Sequence, residues 1–168
     1  YRAVAAPSGV AYVDACAAPG ATRVMFGRAE TAVSAVAAPF GFPFWGGAVA
    51  GGASLTVSTN GYLRVGSDMG ATLSGVIPSL AAPNGLIALF WDNMNPAASG
   101  TVSYGIDEID RLVVTFDNVA QVPVAPGTLT AQVVVDFDSQ QVYCNYAQVE
   151  GLVLNGCTIG IEDGTGSD

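Results

Sequence analysis

Apolar and polar residues alternate along several short segments of this chain, whereas the spacing typical of helices is nearly absent. The clearest case is segment 128–137, where every second residue from Leu129 to Phe137 is apolar and the residues between them, except Val134, are polar. Successive side chains of a strand point to opposite faces. The alternation therefore predicts a strand with one face in the core and the other in water.

Similar segments recur about every ten residues between Gly, Pro and Asn, a spacing typical of sandwiches and barrels. Asn60-Gly61 predicts a two-residue hairpin, and Pro83-Asn84-Gly85 predicts another turn. We therefore expect an all-β fold, an antiparallel β-sandwich of jelly-roll-like type with about ten or more short strands, and the strand order stays open. The other candidate strands are 9–13, 21–26, 31–37, 53–58, 61–65, 85–91, 100–105, 112–116, 142–146 and 157–162.

Charge and composition narrow the classes of partner and of chemistry. The chain has 5 basic and 14 acidic residues, no histidine and a net charge of −9. Binding of nucleic acid depends on clustered cations, so nucleic acid is excluded as a partner. No apolar run reaches the roughly 18 residues of a transmembrane segment. Without histidine the chain lacks the commonest general base, and we predict that it is not an enzyme.

Several motifs resemble those of nidogen-like domains. Segment 39–46 reads PFGFPFWG and is similar to the FPFYG motif of that family, with Trp45 where Tyr is usual. Asn93 likewise stands where the family often has a second Asp. The motifs that follow in the family's order are LTVSTNGYLRVG at 55–66, IPS at 77–79, APNGLIALFWDNMNP at 82–96, GTVSYG at 100–105, RLVVTFDNV at 111–119, QQVYCNYAQV at 140–149 and CTIGIEDGTG at 157–166.

Nidogen-like domains are extracellular β-sandwich modules found in secreted bacterial surface proteins and as accessory domains of proteases. They serve in adhesion or as appendages and share no catalytic residues. The resemblance thus implies a secreted or cell-surface location and a binding role. We interpret 1–168 as a single β-sandwich domain, with a nidogen-like core at 30–166 and an N-terminal edge strand or clip at 1–29.

Asp92, Asn93 and Asn95 follow the strand that ends at Trp91 and offer closely spaced oxygen ligands of the kind that Ca²⁺ prefers. They form the candidate metal site, with calcium as the candidate cofactor. The alternative is a turn before Pro96 that Asp92 and Asn93 cap, and the small number of carboxylates favours this turn.

Other acidic and aromatic residues have simpler interpretations. The acidic clusters at 107–110 and 162–164 are interpreted as solvated loop charge. Trp45 and Trp91 lie in apolar runs and are expected in the core.

The three cysteines cannot all pair within one chain. Cys144 and Cys157 lie in strands that could be neighbours, and a disulfide between them fits an oxidising compartment. The alternative is two buried thiols that act as small apolar side chains. Cys16 would then be free, buried or linked to another subunit.

Two functions remain in competition. The first is a non-catalytic binding, adhesion or accessory module with a protein or glycan ligand. The second is a structural subunit of a homo-oligomeric surface assembly or filament, in which a sheet edge accepts a strand from a neighbouring copy.

Overall fold

The structure is a computed structural model that describes residues 22–23, 32–44, 47–67, 74–107, 109–122 and 126–167. These residues form no helix. Their strands are β1 (Thr22–Arg23), β2 (Val33–Ala37), β3 (Phe42–Phe44), β4 (Gly47–Val49), β5 (Ser54–Ser58), β6 (Tyr62–Val65), β7 (Leu86–Trp91), β8 (Met94–Asn95), β9 (Thr101–Ile106), β10 (Arg111–Gln121), β11 (Thr128–Asp136), β12 (Gln141–Gln148) and β13 (Thr158–Ile161).

Two antiparallel sheets make up the fold, which confirms the predicted all-β sandwich. Sheet A has the order β1-β9-β10-β11-β12, with β8 beside β10, and sheet B has the order β13-β7-β6-β5-β2. Most neighbours within each sheet are consecutive in the chain, as in a meander. Strands β3 and β4 form a separate hairpin. The candidate strand at 9–13 lies outside the described residues.

The hydrophobic core lies between the inner faces of the two sheets. The alternation in β11 directs Leu129, Val133 and Val135 inward, where each is at most 1% exposed. They pack with residues of sheet B such as Leu55 and Leu89. The β3–β4 hairpin closes one rim, since the ring of Phe42 lies 5.6 Å from that of Phe137 in an edge-to-face contact.

Two hydrogen bonds between the sheets show which strands face one another. On one side, the hydroxyls of Ser34 on β2 and Tyr104 on β9 are 3.1 Å apart. On the other, the hydroxyl of Tyr146 on β12 donates to the carbonyl oxygen of Leu89 on β7 at 2.6 Å. Because β13 lies next to β7, β12 and β13 border the same side of the sandwich, which we call the open side.

The outer face of sheet B is covered by segment 74–84. Ile77 packs there against a buried cluster that includes Tyr62 and Trp91, whose rings are 5.4 Å apart. Trp91 is therefore a core residue, as predicted, and Trp45 lies outside the described residues.

The middle of the outer face of sheet A is also buried, contrary to the expectation that this face of β11 meets water apart from Val134. Gln132 and Val134 point away from the core, and both are 0% exposed. Nε2 of Gln132 donates to the hydroxyl of Thr115 at 2.9 Å. Strand alternation separates the two faces of a sheet but does not tell whether a further layer covers the second face.

The hairpin at Asn60-Gly61 differs from its predicted form. Ser58 pairs with Tyr62, so the loop has three residues and only Gly61 takes a positive φ, of 85°. Such a loop is a type I turn followed by a left-handed residue. The loop is buried, and the carbonyl oxygen of Gly61 accepts the N–H of Phe90 on β7 at 3.0 Å.

Candidate functional site

The residues of the predicted metal site hold a turn after β7. Oδ1 of Asp92 accepts the N–H of Asn93 at 2.7 Å, and Oδ2 accepts Nε2 of Gln121 at 2.6 Å. Oδ1 of Asn95 accepts two backbone N–H groups of the following turn, at 3.0 and 3.2 Å. These contacts are those of a side chain-capped turn.

The side chains of Asp92 and Asn95 thus already accept hydrogen bonds from protein donors. Of the oxygen atoms of these three side chains, only Oδ1 of Asn93 is buried without a hydrogen-bond partner. Within the described ranges, no three Cys, Asp, Glu or His side chains are grouped so that they could hold a metal ion. The calcium site therefore stays a prediction.

The acidic loop between β9 and β10 contains an ion pair. Asp107 accepts hydrogen bonds from Nε of Arg111 at 2.7 Å and from its own turn, and Arg111 Nη2 lies 2.6 Å from the same carboxylate. Asp110 is exposed, as expected of solvated loop charge. Glu108 lies outside the described residues.

The acidic pair Glu162-Asp163 was predicted to be solvated, which is wrong for Glu162. Asp163 caps its own turn, and a hydrogen bond from the hydroxyl of Thr165 at 2.6 Å lowers the pKa of its carboxyl. Glu162, by contrast, is 0% exposed. Its Oε1 accepts the N–H of Ser79 at 2.6 Å, which fastens segment 74–84 to the end of β13.

The other oxygen of Glu162 has no partner. Oε2 is buried without a hydrogen bond, and so is Oδ1 of Asn84 on the adjoining segment. Burial disfavours the charged form and raises the pKa of Glu162, and the nearby charge of Asp163 raises it further. Sequence reasoning missed this group because Glu-Asp-Gly has the composition of an exposed turn.

The two cysteines of the predicted disulfide both lie at the open side. Cys144 is on β12 and Cys157 directly precedes β13, so they belong to the facing edges of the two sheets. Burial raises the pKa of the Cys144 thiol to about 11 and also raises that of Cys157. Both are free thiols in this structure, so the disulfide stays a prediction. Cys16 lies outside the described residues.

The loop that connects β12 to β13 is held to the sandwich by hydrogen bonds. Nε2 of Gln121 donates to the carbonyl oxygen of Val153 at 2.7 Å, and its Oε1 accepts the N–H of the same residue at 2.7 Å. The carbonyl oxygen of Gly151 accepts the N–H of Gly127 at 3.2 Å. Gln121 is itself buried and also bound to Asp92, so it fixes this loop to the sandwich.

Large apolar side chains are exposed along this loop and beside it. Leu154 is 62% exposed and Ile159 is 57% exposed. Between residues 139 and 161 the sequence contains a single charged residue, Glu150. We call the set the apolar edge, and it consists of Tyr146, Val149, Val153, Leu154 and Ile159.

Comparison with known proteins identifies the family. A family model described as "NIDO related" matches residues 2–168. The chain belongs to the NIDO-related family. The match confirms the resemblance found in the motifs, and it also includes residues that precede the first of them.

No curated protein and no solved structure matches the NIDO-related chain. Its site must therefore be interpreted from its own residues. Among the residues that the structure describes there is no helix with the length and apolar character needed to cross a bilayer.

The apolar edge of this NIDO-related chain offers a surface for association. Five large apolar side chains are exposed within residues 146–159, whereas a folded chain commonly exposes such side chains singly. Sequence reasoning did not find it, because the pattern of apolar residues does not tell which of these side chains stay exposed in the fold. The low charge of segment 139–161 was the available signal.

Proposed function

We propose that this NIDO-related chain is a non-catalytic binding or accessory module of an exported bacterial protein, and that it docks a protein partner on its apolar edge. The observation that carries the proposal is the exposure of Leu154, Ile159 and the three other large apolar side chains of the apolar edge, all within the strands and the loop of the open side. Contiguous apolar surface commonly marks an interaction site.

The anchoring of the loop supports a docking role. Gln121 binds both backbone groups of Val153, so the loop is already ordered before a partner arrives. Formation of a complex then costs less conformational entropy of the loop than it would if the loop were mobile.

The described carboxylates support a role without catalysis. Asp92, Asp107 and Asp163 each accept hydrogen bonds that serve the local fold, and the sequence has no histidine to act as their base partner. General acid–base chemistry needs a titratable group within reach of a substrate.

The chemistry of the edge favours a protein over a glycan. Four of its five side chains are aliphatic, and only Tyr146 offers an aromatic ring. Protein interfaces have apolar centres with polar rims. Glu150 places one negative charge in that rim, so a partner with a basic residue beside an apolar patch would fit.

The location follows from the family and from the binding role. We propose that the chain acts outside the cell, as a secreted or cell-surface module. A disulfide between Cys144 and Cys157 would be consistent with that compartment. Peptide mapping without reductant, on protein exported into an oxidising compartment, tests whether Cys144 and Cys157 form this disulfide.

A binding screen tests the function. Purified protein is immobilised and exposed to a panel of purified extracellular matrix proteins and to a glycan array. For a protein that binds, Leu154→Asp should weaken the affinity about tenfold or more, equivalent to about 1.4 kcal/mol. The control is Ile109→Asp, which changes an exposed apolar residue, 63% exposed, in the loop at the opposite end of β10.

The same screen can refute the proposal. Absence of binding to every protein probe, or equal losses for the Leu154 and Ile109 variants, would contradict a docking role for the apolar edge. Glycan binding that survives Leu154→Asp would point to another surface and another ligand class.

The alternative function is a structural subunit of a homo-oligomeric surface assembly. Strand β12 has eight residues, none of them charged, and no described strand pairs with its second edge. Natural proteins commonly protect such edges with charge. Light scattering distinguishes the two functions: a mass near 17.0 kDa with and without reductant supports the binding module, and a large assembly supports the subunit.

A further inference from the structure

Segment 74–79 lies alongside β13 and runs parallel to it. Oγ1 of Thr158, at the start of β13, donates to the carbonyl oxygen of Gly75 at 2.5 Å. The N–H of Ser79 donates to Oε1 of Glu162, directly after β13, at 2.6 Å. Each of the two contacts joins residues that are 83 positions apart in the sequence, so the segment and the strand advance together in the same direction.

Every second residue of this segment points away from the sandwich. Gly75, Ile77 and Ser79 are half-buried, and the residues that alternate with them are exposed. The exposed residues, which we call the apolar ridge, are Val76, Pro78 and Leu80. Val76 is 82% exposed and Leu80 is 81% exposed. The ridge is thus a row of three apolar side chains, about 13 Å long, on an extended backbone.

The apolar ridge reverses the usual distribution of side chains. A surface segment ordinarily turns its larger apolar residues inward and its small or polar residues toward water. Here Gly75 and Ser79 face sheet B, whereas a valine and a leucine face solvent. Ile77 follows the usual pattern and packs on sheet B. Contiguous apolar side chains on the solvent side of a fixed segment indicate an interaction surface.

The apolar ridge adjoins the apolar edge. The hydroxyl of Ser74 donates to the carbonyl oxygen of Gly156, in the loop that contains Leu154. Gly75 is bound to β13 one residue before Ile159. Strand β13 thus borders both surfaces, and β7 is the only described strand with which it pairs. A stable interface takes about 800 Å² from each partner, supplied by about 20–30 residues, which is more than the five side chains of the apolar edge provide.

Continuity of the two surfaces points to one occupant. We propose that the protein partner docked on the apolar edge also contacts the apolar ridge, through a cleft that encloses β13. This inference rests on the function proposed above. Side chains at alternate positions of an extended backbone are commonly recognised by separate pockets of a groove, and the ridge offers such a row.

The surroundings of the ridge indicate the chemistry of the cleft. Segment 74–84 has no charged residue, but the turn that begins at Asp163 lies against it, because a Cβ added at Gly166 would collide with the carbonyl oxygen of Ser79. An apolar cleft with a basic residue at its rim would be complementary. A bilayer fits less well, because a myristoyl chain, with about twice the carbon atoms of the two large ridge side chains together, binds membranes only marginally.

A double substitution tests the ridge. Val76→Ser with Leu80→Ser removes both large apolar side chains, adds no charge and leaves Ile77 in place. Its affinity for the matrix protein that binds in the screen described above should fall about tenfold or more, measured by surface plasmon resonance on the full chain. The midpoint of urea unfolding should stay unchanged, because both side chains are more than 80% exposed. Ile109→Ser, at a site 63% exposed, is the control and should bind like the natural chain.

The outcomes separate this inference from the function on which it rests. A loss of affinity for Leu154→Asp with none for the ridge variant would refute the ridge contact and leave docking on the apolar edge intact. A loss for the ridge variant alone, or for neither variant, would refute docking on the apolar edge and the joint surface with it. Absence of binding to every protein of the panel would likewise overturn both.

Photocrosslinking gives a second readout. The photoreactive residue p-benzoylphenylalanine, placed at Leu80 or at Leu154, should join the chain to the same matrix protein, whereas the same residue at Ile109 should not. Crosslinks from Leu80 to a second copy of the chain would show self-association instead. Binding to phosphatidylcholine vesicles that the ridge variant abolishes, with protein binding unchanged, would assign the ridge to a lipid surface. Either result would overturn the proposal.

Discussion

Single glycines are required at points of this sandwich where the backbone has a positive φ or where another strand leaves no space for a side chain. Gly61 combines a φ of 85° with a position against β7, where an added Cβ would lie 1.9 Å from the carbonyl oxygen of Phe90. Gly52 has a similar φ of 82°, but nothing lies within 4 Å of the equivalent Cβ position. A side chain at Gly52 would therefore meet only the cost of the left-handed backbone, whereas a side chain at Gly61 would also collide with β7.

We expect Gly61→Ala to lower the free energy of unfolding by about 2–4 kcal/mol, because strain and collision act together. Gly52→Ala should cost only about 1 kcal/mol, the cost of the left-handed conformation. Urea denaturation of both variants checks this. Equal losses would mean that the hairpin moves away from β7 without cost.

Glu162 makes stability depend on pH. Its pKa is raised by burial, so the folded state binds a proton more tightly than the unfolded chain does. The stabilisation is complete below the pKa of the unfolded chain and is lost as the pH rises through the higher folded pKa. The window lies above the ordinary glutamate value of 4.5.

We expect Glu162→Gln to remove the loss of stability at high pH, since an amide does not ionise. The amide can also donate a hydrogen bond from the position where Oε2 has no partner. At pH 8 the variant should be more stable than the natural chain by about 1–3 kcal/mol, and the difference should shrink at pH 4. Glu150→Gln, in an exposed loop, is the control. A variant less stable than the natural chain at both pH values would contradict the account.

At the scale of elements, the anchoring of the loop between β12 and β13 depends on one buried side chain. Gln121 binds Asp92 and both backbone groups of Val153. Its removal leaves buried polar groups without partners, which costs about 1–3 kcal/mol.

Gln121→Leu should therefore lower stability and speed hydrogen exchange at the N–H of Val153, while the strands of sheet A stay protected. Gln141→Leu, which changes an exposed glutamine at the start of β12, serves as the control. Hydrogen exchange followed by mass spectrometry checks both. Unchanged exchange in the Gln121 variant would show that other contacts hold the loop.

Alternation predicted the strands well, because burial of one face repeats every second residue. The inward residues of β11 from Leu129 onward lie in the core as expected. The buried Gln132 was not predictable in this way, since a glutamine in an alternating strand has the same pattern whether water or another layer lies above it. The burial of Glu162 depends on a contact with Ser79, which is distant in the sequence and which local patterns do not contain.

At the scale of the whole molecule, low charge and the oxygen-rich turn after β7 raise the question of calcium. Because Asp92 and Asn95 already accept hydrogen bonds from the protein, we expect millimolar calcium or a chelator to shift the melting temperature by less than about 1 °C. Thermal denaturation by circular dichroism measures this. A rise of several degrees that Asp92→Asn abolishes would establish the calcium site.

Segment 74–84, which covers the outer face of sheet B, affects where a protease can cleave the folded chain. Segment 74–84 has the composition of a linker, yet Ile77 packs beneath it and Thr158 and Glu162 bind its backbone. A protease must draw a stretch of backbone out of its surroundings to cleave it. Limited digestion should therefore spare this segment and begin at segments that make neither side-chain nor backbone contacts with the sandwich. Peptide tags inserted at 74–84 should prevent folding.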